Sequence, residues 1–124
     1  MNNLKIESLD KELEKLEILG DFIGSAIVNR NGLLMASRLP RDIDDRKFGA
    51  MAATMFGAIE TAATVIKENQ VDNLTVEFKE YQLLTVGIDE KFILVILVDL
   101  NINLGLIFIE IEETIKNIKK ILNR

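Results

Sequence analysis

The sequence predicts an α/β domain whose elements run helix, two strands, long helix, three strands, helix. Three observations carry that order. Asn31-Gly32 sits between two short runs of β-forming residues, a strong local hairpin signal. A nearly charge-free, alanine-rich stretch follows from Lys47 to Lys67. Three more β runs then come in quick succession before a closing amphipathic segment.

Ile6, Leu9, Leu13, Leu16 and Leu19 recur every three or four residues among Lys and Glu, which predicts a first amphipathic helix. Ser8 is expected to cap it and Gly20 to close it. Phe22–Asn29 and Leu33–Ser37 are the predicted strands of the hairpin. Gly24, Ser25 and Ala26 keep the first of them thin enough for a helix to lie close over it. Leu39-Pro40 ends the second strand. Asp42 is the expected cap of the long helix, with Asp45 in its first turn and Asn69 as the left-handed residue beyond its end.

Within the long helix, Phe48, Met51, Ala52, Met55, Phe56, Ile59, Ala63 and Ile66 share one broad face by spacing, the face expected on the sheet. The other side carries Gly49, Ala53, Gly57, Thr61 and Thr64, which are small rather than charged. A surface helix should turn a polar face to solvent, so both sides of this one are expected to meet protein, the second side a copy of the same chain. Each interior glycine costs about 1 kcal/mol against alanine, and close approach of two backbones is the expected compensation.

Leu74, Val76 and Phe78 alternate with polar residues, so Leu74–Lys79 reads as a strand covered on one face. Tyr81–Ile88 and Phe92–Val98 complete an antiparallel meander. The run FILVILV is apolar on both alternations, as in a central strand covered on both sides. LIFIEIE alternates like a strand, but Leu104, Ile107, Phe108, Ile111, Ile115, Ile118 and Leu122 keep helical spacing to the end. Helix is the reading adopted, with Asn103 as its cap.

At 124 residues the prior is a single domain, residues 1–124. The formal charge is −5, with no basic cluster, which argues against nucleic-acid backbone binding. Histidine and cysteine are absent, which excludes His-based triads, cysteine nucleophiles and thiolate zinc sites. There is no phosphate-binding P-loop, and Asp42, Asp44 and Asp45 lack the spacing of a calcium loop. The expectation is therefore no enzyme, no cofactor and no metal. Neither Phe48–Ile66 nor Phe92–Ile109 is expected to span a membrane, and without a leader pattern the expected location is cytoplasmic.

The element order, the hairpin within AIVNRNGLLMASRLP, the Ala/Met-rich helix from Asp44, and DLNINLGLIFIEIEETIKNI resemble the Roadblock/LC7 family, including its MglB-like regulators. Asp99 and Asn103-Leu104-Gly105 match that family's usual approach to its last helix. The resemblance spans about Leu4 to Leu122. It implies a profilin-like α-β-β-α-β-β-β-α sandwich: a five-stranded antiparallel sheet in order 2-1-5-4-3, the long helix on one face and the other two on the opposite face. It further implies a homodimer in which long helices pack together and third strands pair, so that Gly49, Ala53, Gly57, Thr75 and Glu77 are the interface candidates. The implied partner is a Ras-like small GTPase, docking near Glu60, Thr61, Thr64, Lys67 and Glu68 and having its nucleotide cycle modulated. The alternative role is a scaffold or dynein-light-chain-like adaptor subunit. Glu60 is expected to face solvent at the dimer margin or to pair with a basic residue across it. Arg30, Arg38, Arg41 and Arg46 are candidates for partner contact, with no arginine finger expected.

Overall fold

The computed structural model describes residues 2–124. Leucine spacing on a charged background gives α1 (Asn3–Ile18), which buries Leu9, Leu13 and Leu16. Its cap is Asn2, whose side chain accepts from the Lys5 amide at 2.8 Å; Ser8, the expected cap, is a full turn inside the helix. Gly20 closes it at φ +77° as expected, and Asp21 follows at φ +60°.

β1 (Phe22–Asn29) has the predicted bounds, and β2 (Leu34–Arg38) lies one residue later than expected. The turn between them uses Arg30, Asn31 and Gly32, with Gly32 alone at positive φ (+91°). The Asn29 carboxamide accepts from the amides of Asn31 and Leu33, which holds this three-residue loop. β1 has a register shift between Phe22 and Gly24. A Cβ on Gly24 would stand 3.0 Å from the Arg38 carbonyl oxygen and 3.1 Å from Leu39 Cα, so glycine lets β1 approach the end of β2 closely.

α2 (Asp45–Val65) is capped by Asp44, not Asp42: the Asp44 carboxylate accepts from the Lys47 amide at 3.1 Å. At its other end the left-handed residue is Lys67 (φ +62°), not Asn69. Lys67 N donates to the Thr64 carbonyl and Glu68 N to that of Ala63, the paired bonds of a Schellman end.

β3 (Leu74–Glu77), β4 (Tyr81–Gly87) and β5 (Phe92–Asp99) form the meander, and α3 (Leu104–Leu122) closes the chain from its Asn103 cap. The sheet order is β2-β1-β5-β4-β3, every neighbour antiparallel. β5 lies in the middle, with Ile93 through Val98 all buried. One core layer joins α1 and α3 to Ile27, Leu84, Leu94 and Ile96; the other joins α2 to Ala26, Val28, Leu83 and Val95.

α1 and α3 are tied to each other by polar contacts as well. The Glu12 carboxylate, buried, accepts from Asn117 at 2.9 Å and from Lys15 at 2.8 Å. Lys5 Nζ reaches the carbonyls of Leu122 and Arg124, which satisfies orphan acceptors at the negative end of α3.

Among the described residues α2 is the one helix long and apolar enough, by length and composition, to cross a membrane. Its seat on the sheet through Ala52, Ala53 and Phe56 uses that apolar character within the fold. Phe92–Ile109 is no single helix, because it is divided between β5 and α3.

Candidate functional site

α2 carries a single charge between Phe48 and its C-terminal end, Glu60, and its orientation reverses part of the sequence expectation. The residues it buries are Gly49, Ala52, Ala53, Phe56 and Ala63. Gly49 and Ala53, expected on the outer side, lie against the chain's own sheet. A Cβ on Gly49 would stand 3.1 Å from Val28 Cγ2, so this glycine serves close packing of helix on strand. Met51 and Ile66, expected on the sheet, are 53% and 72% exposed, and Ile59 is exposed as well. Gly57 is half-buried, and a Cβ there would meet nothing within 4 Å.

The physical reason is volume. A helix that crosses close over a sheet accepts small side chains at the contact, with one large anchor, Phe56, between them. Larger side chains then fall outside. The outer face presents Met51, Thr54, Ala58, Ala62 and Val65, a stripe at helical spacing without a charged group.

The sole charge between Phe48 and Ile66 is Glu60, and it is neutralised inside the chain. Its carboxylate forms an ion pair with Arg30, which stands in the hairpin turn. The guanidinium also donates from Nη2 to the Asp89 carbonyl at 2.7 Å and lies 5.3 Å from the centre of the Phe56 ring. Glu60 therefore has a basic partner within its own chain. Thirty residues separate the two partners, and nothing in local spacing signals their contact.

The expected docking residues Thr61, Thr64, Lys67 and Glu68 are brought together as an exposed group at the C-terminal end of α2. Their hydroxyls turn inward: Thr61 donates to the Gly57 carbonyl at 3.0 Å and Thr64 to that of Thr61 at 2.7 Å. What this end offers a partner is thus methyl groups, Lys67 and Glu68. Thr75 and Glu77 are exposed on β3, the edge strand beside which no further strand pairs among the described residues.

Of the four arginines expected as candidates for partner contact, Arg30 and Arg38 are tied down. Arg38 Nε donates to Glu17 at 2.6 Å, while Nη1 and Nη2 reach Asp10 and Glu14 at 3.1 and 3.2 Å. The Glu17 hydrogen bond, with further help from Asp10, holds this guanidinium above its ordinary pKa. Arg41 and Arg46 are exposed. No group of three or more His, Cys, Asp or Glu able to hold a metal ion occurs among the described residues.

An antiparallel sheet of order β2-β1-β5-β4-β3, covered by α2 on one face and by α1 and α3 on the other, defines a profilin-like sandwich. Profilin IA of Acanthamoeba castellanii shares it, at 18% identity and a TM-score of 0.57 over 89% of this chain and 92% of that one. Within that class the chain belongs to the Roadblock/LC7 family, whose domain profile matches residues 8–98. An uncharacterized protein of Methanocaldococcus jannaschii is 36% identical over 111 residues, 90% of this chain and 96% of the relative. Among solved structures, Myxococcus xanthus MglB superposes with a TM-score of 0.91 at 22% identity, covering 99% of this chain and 93% of that one. The gliding protein MglB of Thermus thermophilus gives 0.87 at 15%, with 98% and 93% covered. The profile stops at the end of β5, and the structural likeness extends over α3.

Proposed function

We propose that this chain is a non-enzymatic, cytoplasmic homodimer that binds a Ras-like small GTPase and modulates its nucleotide cycle. The observation that carries the reading is the outer face of α2: exposed, uncharged, and with its one carboxylate already paired to Arg30. Continuous uncharged helix surface of this kind marks a protein-interaction face. Membership of the Roadblock/LC7 family and the likeness to MglB support the choice of partner.

The dimer face follows the orientation of α2. Met51, Thr54, Ala58, Ile59 and Ala62 replace Gly49 and Ala53 as contact residues, and Gly57 stays at the margin with room for a close backbone. The edge of β3 at Thr75 and Glu77 pairs with its symmetry mate, which removes an open strand edge. The GTPase then docks across both protomers at the ends of the α2 pair, near Thr61, Thr64, Lys67 and Glu68.

Two measurements test this. Sedimentation should give a dimer at micromolar concentration, and Ile59→Lys, at an exposed site, should give a folded monomer. A pull-down against small GTPases loaded with GDP or a GTP analogue should recover a partner in one nucleotide state. A stable wild-type monomer overturns the dimer, and absence of binding in both states overturns the regulatory role.

A further inference from the structure

β4 outruns β3. Leu74, the first residue of β3, pairs with Thr85, while β4 continues to Gly87. The Ile88 amide donates to the Phe92 carbonyl on the β5 side. By the alternation of an antiparallel strand, the N–H and C=O of Gly87 therefore point the other way, to the side where β3 has ended. A groove of about 880 Å³ opens there, between the 69–73 segment and α3.

The two sides of this groove differ in chemistry. Toward α3 it is apolar, with Val86, Ile88, Phe108 and Ile115 in its lining. Its rim carries Asp72, Glu90 and Glu112, all exposed and none used by an ion pair among the described residues. The one cation in the lining, Arg30, is already matched by Glu60. An unpaired strand end, an apolar floor and an acidic rim thus meet in one place.

We propose that this groove takes a short extended peptide segment of alternating aliphatic and cationic residues, supplied by a partner protein, which adds to β4 in line with β3. Its main chain pairs with Gly87, its aliphatic side chains enter the floor between β4 and α3, and its lysines or arginines meet the acidic rim. Charge complementarity selects this occupant over a second copy of the chain, whose net charge is −5. The site lies beyond the end of β3, and its floor is formed by β4 and α3 rather than by the outer face of α2.

The test is amide NMR on the isotope-labelled full chain, titrated with an acetylated, amidated Lys-Val-Lys-Val-Lys-Val-Lys peptide. The expected result is saturable shifts at the Gly87 amide and along 70–73. Glu112→Lys should weaken binding by about tenfold at low salt while leaving amides elsewhere unchanged. The same peptide N-methylated at alternate residues, which cannot complete a strand ladder, should lose the Gly87 shift. Equal binding by the methylated peptide, shifts at the Asp72, Glu90 and Glu112 amides with none at Gly87, or no saturable binding would each overturn the proposal.

Discussion

Alanine substituted at two glycines of the same helix should have opposite consequences, and the difference can be worked from the structure. Helix propensity favours alanine over glycine by about 1 kcal/mol at either site. At Gly57 the new methyl meets nothing within 4 Å, so Gly57→Ala should keep the whole gain and raise Tm by about 4 °C. At Gly49 the methyl would stand 3.1 Å from Val28 Cγ2, and Val28 is fully buried in the second core layer. Overpacking of that kind costs about 1–3 kcal/mol, which cancels or exceeds the propensity gain. The two variants should therefore differ by about 1–3 kcal/mol in urea denaturation followed by circular dichroism. Running the series at two protein concentrations adds a second readout, because a dimer linked to folding makes the midpoint concentration-dependent. If the α2 faces of two copies meet at Gly57, its gain should shrink at the higher concentration. Equal stabilisation by both variants would refute the assignment of Gly49 to the sheet side.

Four further substitutions probe the ends of α2 and the ion pairs that join Arg38 to α1. Asp44→Ala should cost about 1 kcal/mol by removing the N-cap, whereas Asp42→Ala should stay within about 0.5 kcal/mol in the same denaturation assay. Lys67→Gly should stabilise by about 0.5 kcal/mol, the left-handed strain relieved less the extra freedom of the unfolded chain. Arg38→Met should lower stability by about 1–2 kcal/mol at low salt, because three partly exposed ion pairs go and three carboxylates on α1 are left facing one another. Most of that loss should vanish in about 1 M salt. The pH dependence has a definite sign. The folded pKa of Arg38 is raised above its ordinary value by the Glu17 hydrogen bond, so its contribution is complete below that ordinary value and is lost only as pH rises through the folded one. Titration of Arg38 should therefore add no slope to stability between about pH 6 and 10.

Much of this fold is legible in the chain itself, because period and punctuation are local properties. Alternation from Leu74 and the two-sided apolar run of β5 give strands with nearly their observed bounds, and the spacing from Leu104 overrides the strand-like LIFIEIE. The caps were less legible. Ser8 and Asp42 are residues of the right type at the wrong place, and Asn2 and Asp44 hold the helix starts instead. Lys67 takes the left-handed position because the paired backbone bonds to Ala63 and Thr64 set the chain there, whatever the propensity of its side chain.

What the sequence determined by itself about the Lys47–Lys67 stretch is that it forms a long helix without a polar face. Which face goes inward was decided only by the tertiary structure. A helix with a charged side is oriented by the cost of burying charge, but this one has a single carboxylate and offers no such cost to either choice. Close packing on β1 then selects the smaller residues, Gly49, Ala52 and Ala53, and leaves Met51 and Ile59 outside. The Arg30–Glu60 pair and the groove beyond β3 share that origin. Both arise where segments distant in sequence meet, and no spacing along the chain encodes them.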